Sequence, residues 1–252
     1  PKTLQRAIPI AGDAKTQAEI LFPDNAVGKA AAQKIADAIQ KKTGAKLTAR
    51  PATITDREFS SNAILLGNAM NNPALFLLYT RRFTPVDAIC PGAEGTLLQT
   101  VHDPFGNGAG AVVVGASDDA GLENAAAELI AKIEKSPNGK TLSFDKFFEA
   151  NYSSDFLKAY PFATQKDDEK RLADGLQSGR IALEQGRHTS IAGELKNAAL
   201  RYQLTGNSVE ARLFVQLWAM YEKSAVPDAS QFGGAWGFDS DFPSFEVVSG
   251  WD

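Results

Sequence analysis

The sequence predicts two units of different class: a mixed-sheet α/β sandwich over residues 1–150, followed by an all-α helical region over 151–252. Three observations carry this. Apolar strand-like runs alternate with amphipathic helical stretches through the first part of the chain. Beyond the segment EANYSSDFLKAYPFA (149–163) only helical periodicity remains. The chain, at 252 residues, has the length of two modest domains.

The elements follow in order. QAEILFP (17–23) reads as a strand, and Val27, Ala31, Ile35, Ala38 and Ile39 form one apolar face of a helix from Ala26 to Thr43 that Gly44 stops. KLTARPATI (46–54) and NAILLGN (62–68) are the next strands, and NPALFLLYTRR (72–82) is a helix opened by Pro73 in its first turn. EGTLLQTVHD (94–103) and GAVVVGAS (110–117) are β-rich runs joined by PFGNGA, a glycine-rich turn suited to a hairpin. Asp118 or Asp119 then caps a second long helix, which runs to Lys135 on Leu122, Ala126, Leu129, Ile130 and Ile133, and KTLSFDKF (140–147) closes the half as a strand.

The second half predicts helices around 165–185, 189–205 and 208–223, with apolar stripes that include Leu172 and Leu176, Ile191 and Leu195, and Leu213 and Leu217. Gly206 in LTGN (204–207) marks a chain reversal, so the helices form αα-hairpins of the kind found in helical repeats and toroids. Three helices bury little by themselves, and Phe214, Trp218 and Tyr221 call for a further layer of helices. The chain is therefore expected to continue beyond Asp252.

Composition narrows the function classes. With 44% hydrophobic and 22% charged residues the chain is ordinary globular protein, and a net charge of −4 without a Lys/Arg-rich run argues against nucleic acid as a partner. No apolar run approaches the roughly 20 residues that cross a bilayer, so no membrane association is expected. One cysteine, Cys90, and two histidines, His102 and His188, exclude a disulfide framework and a thiolate/imidazole zinc cluster; no cofactor is expected. The cysteine usage fits the cytoplasm and a bacterial periplasm equally, and a start at Pro1 without methionine fits signal-peptide removal or an artificially chosen start; of these, export is the expectation, to a secreted or periplasmic location.

Few motifs carry chemistry. GNGAG (106–110) is followed by a strand, whereas a dinucleotide loop must lead into a helix, so a structural turn is expected. GASDDAGLENA (115–125) places a helix N-terminus after a strand, which capping by Asp118 or Asp119 fills. His102 and Asp103 in VHDP are strand neighbours that point to opposite faces and form no triad-like bond. In QGRHTSIAGEL (185–195), Gly186 ends one helix, Thr189 or Ser190 caps the next, and His188 projects from the corner as a candidate substrate contact. The segment 232–252 gathers Trp236, Phe238, Asp239, Asp241, Phe242, Phe245, Glu246, Trp251 and Asp252. Aromatic faces stack on pyranose rings and carboxylates accept from hydroxyls, so Trp236, Asp239, Asp241 and Trp251 are candidate sugar contacts; the alternative is a loop pinned to the core by its aromatics. DSD (239–241) lacks the rest of a calcium-loop ligand series.

The run TVHDPFGNGAGAVVVGASDDAGLENAAAELIAKI (100–133), with NAILLGN (62–68) ahead of it, resembles the non-catalytic α/β domain that precedes the catalytic domain in β-hexosaminidases, α-glucuronidases and several large polysaccharide-degrading enzymes. RYQLTGN (201–207) and GAWGFDSDF (234–242) resemble the opening helices of an α/α toroid, as in heparinase-like and other polysaccharide lyases, although no lyase base motif accompanies them. The resemblance implies a secreted bacterial polysaccharide-degrading enzyme, lyase or glycoside hydrolase, or an N-terminal piece of one. Its α/β domain would be a scaffold, its helical region would contact a polysaccharide or oligosaccharide, and its remaining domains would lie on the same polypeptide. Such a lyase abstracts the proton beside a uronate carboxyl with Tyr or His while Asn, Gln or His neutralises the carboxylate. The helical half offers His188, Tyr202 and Asn197 without assigning any of them as catalytic. Two other classes remain open: a non-catalytic carbohydrate-binding or scaffold module, and a helical-repeat module that docks a protein.

Overall fold

The computed structural model describes residues 7–137, 139–164 and 168–224. The chain divides into two compact units, Pro1–Pro161 and Phe162–Asp252. The division falls later than residue 150, because a short strand that spans that point and a short helix after it belong to the first unit.

The first unit contains β1 (Ala7–Gly12), β2 (Lys15–Thr16), β3 (Ala18–Phe22), α1 (Ala26–Thr43), β4 (Ala49–Pro51), a 3-10 turn (Ile54–Glu58), β5 (Asn62–Gly67) and α2 (Pro73–Thr80). It continues with β6 (Thr96–Val101), β7 (Ala111–Gly115), α3 (Asp119–Lys135), β8 (Thr141–Asp145), β9 (Phe148–Asn151) and α4 (Ser154–Ala159). A six-stranded mixed sheet has the order β4-β3-β5-β7-β6-β9. Its first four strands are parallel, while β6 runs antiparallel to both β7 and β9. A second, three-stranded sheet has the order β2-β1-β8.

Alternating side chains send the main sheet's apolar groups to both faces. Ile20, Ile64, Leu98, Val112 and Val114 pack with Ile35 and Ile39 of α1, Leu129 and Ile133 of α3, and Ile8, Ile10, Leu142 and Phe144 of the small sheet. Leu21, Leu65, Leu97 and Val113 pack with Leu75 and Leu78 of α2 and with Phe59 and Val86. The helix ends follow the local rules: Asn25 caps α1, Gly44 closes it at φ 78°, and Pro73 opens α2 behind Asn72.

KLTARPATI, expected as one strand, is a strand only over Ala49–Pro51. Pro51 has no N–H with which to extend a ladder, and Thr53 with Asp56 forms a capping box that opens the 3-10 turn. Arg50 binds this turn to the sheet: its guanidinium donates to both oxygens of Asp56, at 2.7 and 2.8 Å, and to Glu19 at 2.9 Å. Those bonds, joined by donors from Thr53, hold the Asp56 carboxyl down at about 2.

The second unit contains α5 (Glu169–Glu184), α6 (His188–Thr205) and α7 (Ser208–Ser224) as consecutive αα-hairpins, with Gly206 at φ 63° between the last two. Leu172, Ile191, Leu195, Ala198, Val209, Leu213 and Leu217 form its core. Gly175 and Gly179 lie on the face of α5 that meets α7, where a Cβ would come within 2.8 Å of Leu213 and 2.4 Å of Leu217. Absence of those two side chains is what lets the helices approach so closely. Val215, 63% exposed, and Ile181 point away from that core.

Candidate functional site

In an open α/β sheet, ligands gather beyond the carboxyl ends of the parallel strands, at the point where successive connections leave for opposite faces. Here β3 leads to α1 on one face and β5 to α2 on the other, so the point lies between β3 and β5. The chain fills it with its own residues. Gly67 ends β5 at φ 99°, and a Cβ there would stand 2.4 Å from Asn71 Oδ1 and 2.6 Å from Pro23 Cγ. Asn71 Oδ1 accepts from Asn68 N at 2.9 Å. The Asn72 side-chain amide donates to the carbonyls of Leu21 and Leu66 at 3.1 and 2.8 Å while its oxygen accepts from Ala74 N at 2.9 Å.

The helix N-termini at this edge are satisfied in the same way. Asn25 Oδ1 accepts from Gly28 N at 2.6 Å, and Asp118 accepts from Gly121 N at 2.7 Å through Oδ1 and from Glu94 N at 3.0 Å through Oδ2. Asp118 therefore caps α3, one of the two residues expected to do so, and GASDDAG holds a carboxylate where a phosphate would have to sit. The glycine-rich run GNGAG is a turn between antiparallel β6 and β7. Asp103 Oδ1 accepts from Gly108 N at 2.8 Å, and Asn107 Nδ2 donates to the carbonyl of Phe59 at 2.9 Å.

His102 and Asp103 lie just past β6 and make no catalytic pair. Both imidazole nitrogens of His102 are shut off from solvent and have no hydrogen-bond partner among the described residues. Burial, with Lys146 nearby, pulls the His102 pKa below its ordinary value, against an opposing pull from Asp145. The folded state thus favours the neutral ring. Its contribution to stability is complete above the unfolded histidine's pKa and is lost as pH falls through the lowered folded value. Urea titrations between pH 7.5 and 5 should show stability declining with acid, and His102→Leu should flatten that decline while leaving the neutral-pH fold intact.

His188, Asn197 and Tyr202 all belong to α6. α6 begins at His188 itself. Neither Thr189 nor Ser190 caps it; the cap position is Arg187, without a side-chain cap bond. The turn is set instead by Gly186 at φ 65°, with Gly186 N–H reaching Leu183 O at 2.9 Å and Arg187 N–H reaching Ala182 O at 2.8 Å. That pairing satisfies the end of α5 and pulls the next helix start earlier. Asn197 is exposed and Tyr202 half-buried on α6. Trp236, Asp239, Asp241 and Trp251, with the rest of 232–252, lie outside the described residues.

Two polar constellations escaped the sequence reading. In the first unit an open groove of about 800 Å³ runs between α3, β8 and β9, and its polar lining includes Glu128, Lys132, Lys135, Ser143, Glu149 and Asn151. Glu128 accepts from Thr96 Oγ1 and Asn151 Nδ2, and Lys132 bridges Glu149 at 2.6 Å while lying 4.8 Å from the Phe147 ring centroid. Carboxylate, amide, hydroxyl and ammonium groups on an open channel suit a polyhydroxylated ligand. In the second unit Arg171 of α5 bonds Glu194 of α6 and, at 3.1 Å, Glu210 of α7, and Arg201 lies 3.7 Å from Glu210. Every charge there already meets an opposite one. The i,i+4 spacing of Glu128 and Lys132 on α3 was the one local signal for the groove; nothing local marks the second cluster.

Among the described residues no three His, Cys, Asp or Glu side chains gather to hold a metal. Cys90 is buried, and burial raises its thiol pKa far above the reactive range, so it is a packing residue. No described helix is long and apolar enough to cross a membrane. No protein-family model matches the chain, and no curated protein matches it.

Proposed function

We propose that the protein acts in polysaccharide processing, as part of a secreted bacterial lyase or glycoside hydrolase. Its α/β unit is a scaffold, and its helical unit, of toroid type, contacts the glycan together with the segment 232–252. The observation that best supports this division of labour is the closed edge of the parallel sheet. Pro23 and Asn71 occupy the crevice in which an α/β enzyme would hold its ligand, and Asn25 and Asp118 take up the helix N-termini beside it. A unit sealed in this way is suited to supporting its neighbours.

The test is to offer the native polypeptide a panel of plant, algal and animal polysaccharides. New reducing ends would indicate hydrolysis, and the ultraviolet absorbance of an unsaturated uronate would indicate elimination. Cleavage of one class supports the reading. Saturable binding without cleavage replaces it with a carbohydrate-binding module. A second reading is favoured by the exposure of Val215 and Ile181 on the helical unit, which suits a repeat that docks a protein. In that case Trp236→Ala and Trp251→Ala leave every sugar assay unchanged.

A further inference from the structure

One face of the α/β unit carries guanidinium groups held on aromatic rings. The Arg57 guanidinium lies 5.0 Å from the ring centroid of Phe76, and that of Arg81 lies 5.4 Å from the ring centroid of Phe105. The two couples are joined: Glu58, the neighbour of Arg57, accepts from Arg81 at 3.3 Å, and Phe105 packs edge-on against Phe59 at 5.0 Å. Phe76 of α2 is 38% exposed, and Ile54 is exposed on the 3-10 turn that carries Arg57. Arg82 follows directly and is exposed as well.

The charges do not cancel. Arg50, at the base of the turn, is taken up by Glu19 and Asp56, and Arg81 shares Glu58. Arg57 and Arg82 have no carboxylate partner among the described residues, which leaves this face cationic on a chain of net charge −4. A ring beneath a guanidinium leaves its N–H edges free and limits its rotamers, so less ordering is needed when an anion docks.

The backbone supplies an independent sign. α2 ends in a Schellman motif, with Phe83 N–H on Leu78 O at 2.8 Å and Arg82 N–H on Tyr79 O at 2.9 Å. Its left-handed residue, at φ 59°, is Arg82, in the position where glycine is ordinarily found. Arg81 at the C-cap and Arg82 just beyond it suit the helix dipole, but that does not require one of them in the left-handed conformation. An arginine held there bears a backbone cost that glycine would not.

We propose that this face, built from Arg57, Phe76, Arg81, Arg82 and Phe105, is an anchoring surface for an acidic sugar chain, whose carboxylates pair with the guanidinium edges. It is a binding surface on the scaffold unit, apart from any catalytic centre. The choice of a sugar chain over another polyanion rests on the glycan reading above.

The test uses the full chain and three probes: polygalacturonate, neutral dextran and polyuridylate, in affinity electrophoresis at low and moderate salt. Polygalacturonate should retard the wild type in a salt-sensitive way, and Arg57→Ala with Arg82→Ala should weaken that about tenfold or more. Arg57→Lys should fall between, because it keeps the charge and loses the planar fork. Arg82→Gly gives the sharpest result: melting temperature rises while polygalacturonate retention falls, a combination that damage to the fold does not produce. Unchanged retention in the double variant overturns the proposal, as does tighter binding to polyuridylate. Binding to dextran alone overturns it while the glycan reading stands. Retention by neither sugar overturns the proposal, and the glycan reading is then decided by the cleavage panel above.

Discussion

Replacing Arg171 with alanine is expected to destabilise the helical unit by about 2–4 kcal/mol, with the loss read in urea unfolding followed by far-ultraviolet circular dichroism. Glu210 is the reason. Its side chain is 4% exposed, and Arg171, 23% exposed, is the cation that reaches it from α5. Without Arg171 the Glu210 carboxylate stays buried with Arg201 at 3.7 Å, too long for a full hydrogen bond, while the more exposed Glu194 turns to water. The residual pull of Arg201 and the partial exposure of Arg171 set the lower bound of the range. Replacing both partners, Arg171→Met with Glu210→Leu, should recover most of the loss, since the fully buried charge is gone and the remaining Glu194 and Arg201 are exposed enough to meet water. If Arg171→Ala alone costs less than about half a kcal/mol, the cluster behaves as a surface ion pair and does not tie the three helices together.

That cluster also marks what the sequence leaves hidden. The helices α1, α3 and α5 to α7 are legible because their signals are local: Asn25 and Gly44, Asp118, Gly206 and the apolar stripes lie within the segments they define. β1 and β9 are not. AIPIAG contains a proline and FEAN is short; FEAN is a strand through the distant Thr96–Gln99, and AIPIAG, apart from its last residues against Lys15–Thr16, through the distant Thr141–Asp145. Arg171, Glu194 and Glu210 sit on three different helices, so no window of sequence places them together. The Arg57–Phe76 couple is invisible for the same reason, joining the 3-10 turn to α2. GNGAG and GASDDAG are a turn and a cap, as their local sequence predicts, because the glycines and Asp118 that decide them lie within those few residues.

The closed sheet edge makes the second large prediction. Gly67→Ala should lower stability by about 2–4 kcal/mol, from two sources that can be separated. The first is backbone strain: at φ 99° a residue with a Cβ costs about 1–2 kcal/mol. The second is space. The new methyl would lie 2.6 Å from Pro23 Cγ, which a ring cannot yield, and 2.4 Å from Asn71 Oδ1, whose retreat would break its bond to Asn68 N. Gly106→Ala isolates the first source, since Gly106 has a left-handed φ of 72° and nothing within 4 Å of its added Cβ. It should cost only about 1 kcal/mol. The difference between the two variants in equilibrium unfolding measures how tightly Pro23 and Asn71 are packed into the crevice. Equal losses would mean that the crevice yields readily, and a crevice that yields is open to a ligand, which would remove the main support for a scaffold role.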